Sequence, residues 1–122
     1  MRPLASLLAL ALALAMLGGC GAERLPVPPS GPHAGHGTLI VVPFPPPAAR
    51  AEIISAPPAE MTSPVWVDGE WQWKGRRWVW QRGQWENLQP GAYYAPSTVI
   101  TLADGSIGWY AGRWYAGAAP AK

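Results

Sequence analysis

The sequence predicts an all-β fold: a small antiparallel meander of about six to seven short strands, arranged as a sandwich or a partly closed barrel, behind a disordered proline-rich linker. Three observations predict it. Tryptophans recur in pairs at a fixed spacing around a glycine, Asp-Gly and Gly-Arg dipeptides punctuate alternating segments, and most of the 15 prolines precede residue 64. Glycine and proline usage is far above that of ordinary globular chains. The 122 residues leave room for one small domain once the ends are set aside.

In chain order, the first element is an export signal. Arg2 precedes an apolar run from Leu4 to Leu17 that stops at Gly18-Gly19-Cys20. A charged start, an apolar middle and a small-residue end are the order of a secretory signal. The run is short for a membrane-spanning helix, which takes about 20 residues. Leu17-Gly18-Gly19-Cys20 resembles the lipobox of bacterial lipoproteins, with an aliphatic residue three before the cysteine and small residues between. The resemblance implies a signal peptide over 1–19, cleavage before Cys20, a diacylglycerol on its thiol and an acyl chain such as palmitate on the new amine. Residue 21 is glycine and not aspartate, which by the same resemblance implies the outer membrane; a domain facing the periplasm is the expectation, and one facing outside the alternative. The alternative is an ordinary signal peptide that ends near a cysteine by chance. Cys20 is the only cysteine, so no internal disulfide framework exists.

Residues 20–63 read as a linker. Pro26, Pro28, Pro29, Pro32, Pro43, Pro45, Pro46, Pro47, Pro57 and Pro58 favour extended polyproline geometry, at about 3.1 Å per residue. Such a tether would hold a domain several nanometres from a membrane. Two apolar runs interrupt it, Leu39 to Val42 and Ile53-Ile54, and either can dock as an edge strand. His33 and His36 form an H-x-x-H with no third ligand nearby, so no metal site is assigned and no cofactor is implied.

Residues 64–117 form the folded part, followed by a short disordered tail over 118–122. Three segments share the pattern W-x-x-G-x-W: Trp66 to Trp71, Trp80 to Trp85 and Trp109 to Trp114, with Gly69, Gly83 and Gly112 at the fourth position. The first two are tandem copies, an internal repeat. Asp-Gly is a strong signal for a two-residue type I′ turn, in which both residues take positive φ. On that reading each motif is a hairpin, with Val67 paired to Glu70 and Trp66 to Trp71. A Gly75-Arg76 turn then pairs Lys74 with Arg77, Trp73 with Trp78 and Trp71 with Trp80. The tryptophans form one face of the sheet, and Val65, Val67, Glu70, Gln72, Val79 and Gln84 belong to a mostly polar opposite face.

Asn87 to Gly91 is the break between halves. Beyond it, Asp104-Gly105 makes a second turn, pairing Leu102 with Ile107 and Ile100 with Trp109. Trp114 and Tyr94 join that apolar face.

The three motifs, behind a lipobox, resemble the bacterial WXXGXW (YXWGXW) repeat family over roughly residues 64–115. Members are small exported proteins or lipoproteins without an established biochemical role, so the resemblance bears on location and fold more than on activity.

Function is constrained chiefly by what is missing. Charged residues are 13 % and the formal charge is +2, without the clustered Lys and Arg of nucleic-acid binders. Asp68 and Asp104 sit in turns, the histidines precede the repeat region, and the serines there lack a base. No catalytic residue is assigned, and the expectation is a non-enzyme. Two readings of Trp66, Trp71, Trp73, Trp78, Trp80, Trp85, Trp109 and Trp114 remain open. They are the core of a domain too small to bury enough surface otherwise, or an exposed platform that stacks on peptidoglycan or surface carbohydrate. The leading expectation is an envelope lipoprotein with a structural or interaction role. Its one assured partner would be the membrane, and Cys20 its modified residue.

Overall fold

The computed structural model describes residues 23–35 and 37–121. The export signal, Cys20 and His36 lie outside them. Among the described residues the fold is all-β, with nine short strands: β1 (Ile40–Val42), β2 (Pro64–Val67), β3 (Glu70–Trp73), β4 (Trp78–Gln81), β5 (Gln84–Asn87), β6 (Ala92–Ala95), β7 (Thr98–Thr101), β8 (Ile107–Tyr110) and β9 (Arg113–Ala116). All strand pairs are antiparallel and no sheet closes into a barrel.

The strands assemble as two long, bent β-ribbons. In the first, β2 pairs with β5, setting Trp66 opposite Trp85, and β3 pairs with β4, setting Trp71 opposite Trp80 and Trp73 opposite Trp78. The register carries across the gap without a slip, so Asp68-Gly69 faces Arg82-Gly83. The second ribbon is built alike. There β6 pairs with β9, Tyr94 opposite Trp114, and β7 pairs with β8, Val99 opposite Trp109. Its gap sets Pro96-Ser97 against Ala111-Gly112, and Pro96 has no N–H to continue a ladder.

The hairpin at Gly75-Arg76 forms as expected. The Lys74 amide donates to the Arg77 carbonyl at 2.9 Å, and Gly75 takes φ of 80°. The W-x-x-G-x-W motifs, however, are not hairpins. Trp66 pairs with Trp85 rather than Trp71, and neither Gly69, Gly83 nor Gly112 takes positive φ. These glycines sit at the bends for lack of room. A Cβ on Gly83 would lie 2.5 Å from the Trp66 ring and 2.9 Å from both the Gly69 nitrogen and the Val67 oxygen. One on Gly69 would lie 2.5 Å from the Trp80 ring. Each motif is one strand of a ribbon, pinched where its glycine lets an aromatic ring of the partner strand close in: Trp80 at Gly69, Trp66 at Gly83 and Tyr94 at Gly112.

The second turn also differs. Ala103-Asp104-Gly105 is a three-residue loop in which only Gly105 takes positive φ, at 84°. The Gly105 amide donates to the Leu102 carbonyl at 2.9 Å, and the Asp104 carboxylate accepts from the Ser106 amide at 2.9 Å. A type I′ turn would force Asp104 into positive φ, whereas this loop leaves it in ordinary space and satisfies its side chain. The extra loop residue shifts the register by one, so Thr101, not Leu102, faces Ile107, and Val99, not Ile100, faces Trp109. A one-residue shift exchanges the two faces of β7.

The third difference is the linker. Residues 23–35 and 37–58 fold onto both ribbons as an arm. The Pro26 carbonyl accepts from the Trp66 amide, and Pro29 from the Tyr94 amide, each at 2.8 Å. Ser30 bridges to Tyr94, tying one ribbon to the other. The Leu39 to Val42 run does dock, as β1 against β8, making a three-stranded sheet in the order β1-β8-β7. From Phe44 to Ser55 the arm returns to the first ribbon. The buried core is accordingly Val42 from the arm, Val65, Trp66 and Val67 from β2, Tyr93 and Ala95 from β6, and Trp109 from β8. Three successive buried residues in β2 show that both of its faces are covered, which is why Val65 and Val67 do not lie on an exposed polar face.

Candidate functional site

The tryptophan row is the chemically most distinctive surface of the molecule, and its geometry follows from the register. Directly opposed residues on one face bring their side chains together. The ring pairs Trp66–Trp85, Trp71–Trp80 and Trp73–Trp78 meet edge to face at centroid distances of 5.5, 5.3 and 5.2 Å. Aromatic pairs prefer this geometry because it sets a positive ring edge on a negative ring face. Trp78 makes a further edge contact with Trp109, 5.5 Å away, which joins the two ribbons.

All eight tryptophans are buried or half-buried, and the arm is what covers the row. Indole offers one donor and no acceptor, whereas a proline-rich extended segment offers carbonyls with no internal partner. The two match. Trp78 Nε1 donates to the Phe44 carbonyl at 3.2 Å, Trp71 to Ala48 at 3.0 Å and Trp85 to Ser55 at 2.9 Å. Trp80 Nε1 donates to the Glu52 carboxylate. The Phe44 ring meets Trp73 edge-on at 5.4 Å, and the Arg50 guanidinium lies 4.7 Å from the Trp71 ring centre. The tryptophans are therefore packed residues, and four of them donate to the chain's own arm.

Two carboxylates fasten the bends. Glu52 Oε2 accepts from the Gly83 amide at 2.9 Å, and Glu70 Oε2 accepts from the Gly112 amide at 3.0 Å. Gly83 and Gly112 hold equivalent places in the two ribbons, so the same orphaned N–H is capped twice. No local pattern signals this, since the carboxylates lie 31 and 42 positions from their partners.

Between the ribbons lies a polar cleft of about 280 Å³, lined by Glu70, Gln72, Gln81, Gln84, Tyr94 and Trp114 among others. Burial, with Glu70, Glu86 and Asp68 nearby, pushes the Tyr94 phenol well above its ordinary range. Trp114 Nε1 is buried with no partner among the described residues.

His33 belongs to the packing. Its Nε2–H donates to the Pro96 carbonyl at 2.7 Å, which leaves Nδ1 to accept from the Tyr115 hydroxyl at 3.1 Å. Its ring stacks on Tyr110 at 4.8 Å. Of Gly69, Gly83, Gly105 and Gly112 only Gly105 is a turn residue, alongside Gly75. The tryptophan pairs 71–80 and 73–78 were legible, and 66–85 was not. No protein family, curated protein or solved structure matches this chain.

Proposed function

We propose that the protein is an envelope lipoprotein, anchored to the outer membrane through acyl chains on Cys20 and facing the periplasm, with a non-catalytic structural or interaction role. One observation carries the non-catalytic part. The aromatic row, the surface best suited to hold a ligand, is filled by residues 44–55 of the same chain, with four indole N–H groups bonded there. The anchor rests on Leu17-Gly18-Gly19-Cys20, and membership of the WXXGXW family rests on the three motifs. Labelling cells with radioactive palmitate and separating inner from outer membranes tests the anchor. Label in the parent and none in Cys20→Ala is expected; equal label in both refutes it.

A second reading is a module for peptidoglycan or surface carbohydrate. The cleft between the ribbons favours it, because Gln72, Gln81 and Gln84 supply amides beside Trp114. Pull-down on isolated sacculi tests it: retention that Gln81→Ala with Gln84→Ala abolishes is the positive result, and no retention of the parent removes the reading.

A further inference from the structure

A tether and a docked arm place the anchor differently. Pro26 is held by Trp66 at 2.8 Å, and it stands only six positions after Cys20. Fully extended, six residues span about 20 Å, so a lipid on Cys20 confines the fold to the membrane surface. The chain next to that attachment point is apolar where a soluble surface would be polar. Ile53 is 99 % exposed, Leu25 40 % and Ile54 38 %. Leu25, Ile54 and Trp85 line one shallow cleft with Glu23 to Pro26, and Ile53 and Trp85 line the next. Arg24, Arg50 and Arg82 border these two clefts. The acidic residues of these two clefts are Glu23 and Glu52, and Glu52 has both oxygens turned inward to Trp80 and Gly83; Arg82 also borders the polar cleft that holds Asp68, Glu70 and Glu86, and Arg50 a pocket shared with Asp68.

We propose that this face, Leu25, Ile53 and Ile54 beside Trp85 with Arg24, Arg50 and Arg82 around them, lies on an anionic lipid bilayer. The proposal rests on the Cys20 reading for its geometry. Aliphatic side chains enter the headgroup boundary, tryptophan is at home there, and arginines meet lipid phosphate. The tip residues Gly75 and Gly105 line neither cleft, so Lys74, beside Gly75, serves as the aqueous control.

The test uses the lipidated chain in vesicles of phosphatidylethanolamine and phosphatidylglycerol, three to one, with a nitroxide placed by Leu25→Cys, Ile53→Cys or, as control, Lys74→Cys. The ratio of oxygen to nickel-chelate accessibility is expected to be several-fold higher at 25 and 53 than at 74. An equal, aqueous ratio at all three overturns the proposal and leaves the anchor intact. Titration of a second free thiol reveals a Cys20 that carries no lipid. In that event the Cys20→Ser chain from residue 20 is mixed with the same vesicles, where a raised ratio at 53 upholds the lipid-binding face and an aqueous one overturns it.

Discussion

Replacing Gly83 by alanine separates two reasons for a glycine. In a type I′ turn the residue is needed for positive φ, and asparagine, which tolerates that region, costs less than alanine. At Gly83 the φ is ordinary and the limit is space. The new Cβ would stand 2.5 Å from Trp66 Cζ2 and 2.9 Å from the Gly69 nitrogen and the Val67 oxygen. The ring can tilt, but two of the three neighbours are backbone of the facing strand, so the ribbon itself must open. Overpacking of this kind costs about 1–3 kcal/mol. For a domain of this size that lowers Tm by roughly 5–20 °C. Gly83→Asn, being larger, is expected to lose more than Gly83→Ala. At Gly75, with φ of 80° and open space around it, the order reverses: alanine costs about 1 kcal/mol and asparagine less. Urea melts followed by near-ultraviolet circular dichroism, which reports the tryptophan pairs, measure all four variants. A Gly83→Ala protein that melts within about 0.5 kcal/mol of the parent, or a Gly83→Asn protein more stable than Gly83→Ala, refutes the close-approach explanation.

Removing the Glu52 side chain strands the Gly83 amide and the Trp80 indole together. Glu52→Ala is expected to cost about 2–3 kcal/mol, and Glu52→Gln less, in the same melts. Tyr94 gives the protein an alkaline weakness. Its phenol ionises at higher pH in the folded chain than in the unfolded one, so the unfolded state alone loses its proton once pH passes about 10. Stability should then fall by up to about 1.4 kcal/mol per pH unit, less in proportion to its solvent contact, and Tyr94→Phe should flatten that fall between pH 9 and 11. Asp104 works in the opposite direction. The Ser106 hydroxyl and amide hold its carboxyl below the usual range, so its contribution is complete above the ordinary aspartate pKa and fades as acid reaches the lowered value. The Tm difference between Asp104→Asn and the parent should therefore be largest at neutral pH and shrink as pH falls below the ordinary aspartate range. Limited proteolysis checks the arm: cleavage in the Pro43 to Ser55 stretch should be slow in the parent and faster in Trp71→Phe, which loses the hydrogen bond to Ala48 while keeping an aromatic ring.

Local chemistry determined a good part of this fold. β-branched and aromatic residues alternating between turn signals made the chain all-β, and Gly75-Arg76, with its glycine first, fixed the pairing of Trp71 with Trp80 and Trp73 with Trp78. Those features act over a few residues and are visible in any window that contains them. The remaining decisions were made at a distance. Asp68-Gly69 has the composition of a turn, yet the chain runs on through it. The long ribbon sets Trp66 against Trp85, Trp71 against Trp80 and Trp73 against Trp78, a row on which the arm docks. Likewise the prolines dictate an extended arm with free carbonyls, but only the assembled row of indole donors turns that arm from a tether into part of the core. Steric room around Gly83, acceptors for the indoles and the carboxylates of Glu52 and Glu70 are properties of strands brought together, and no stretch of sequence holds them alone.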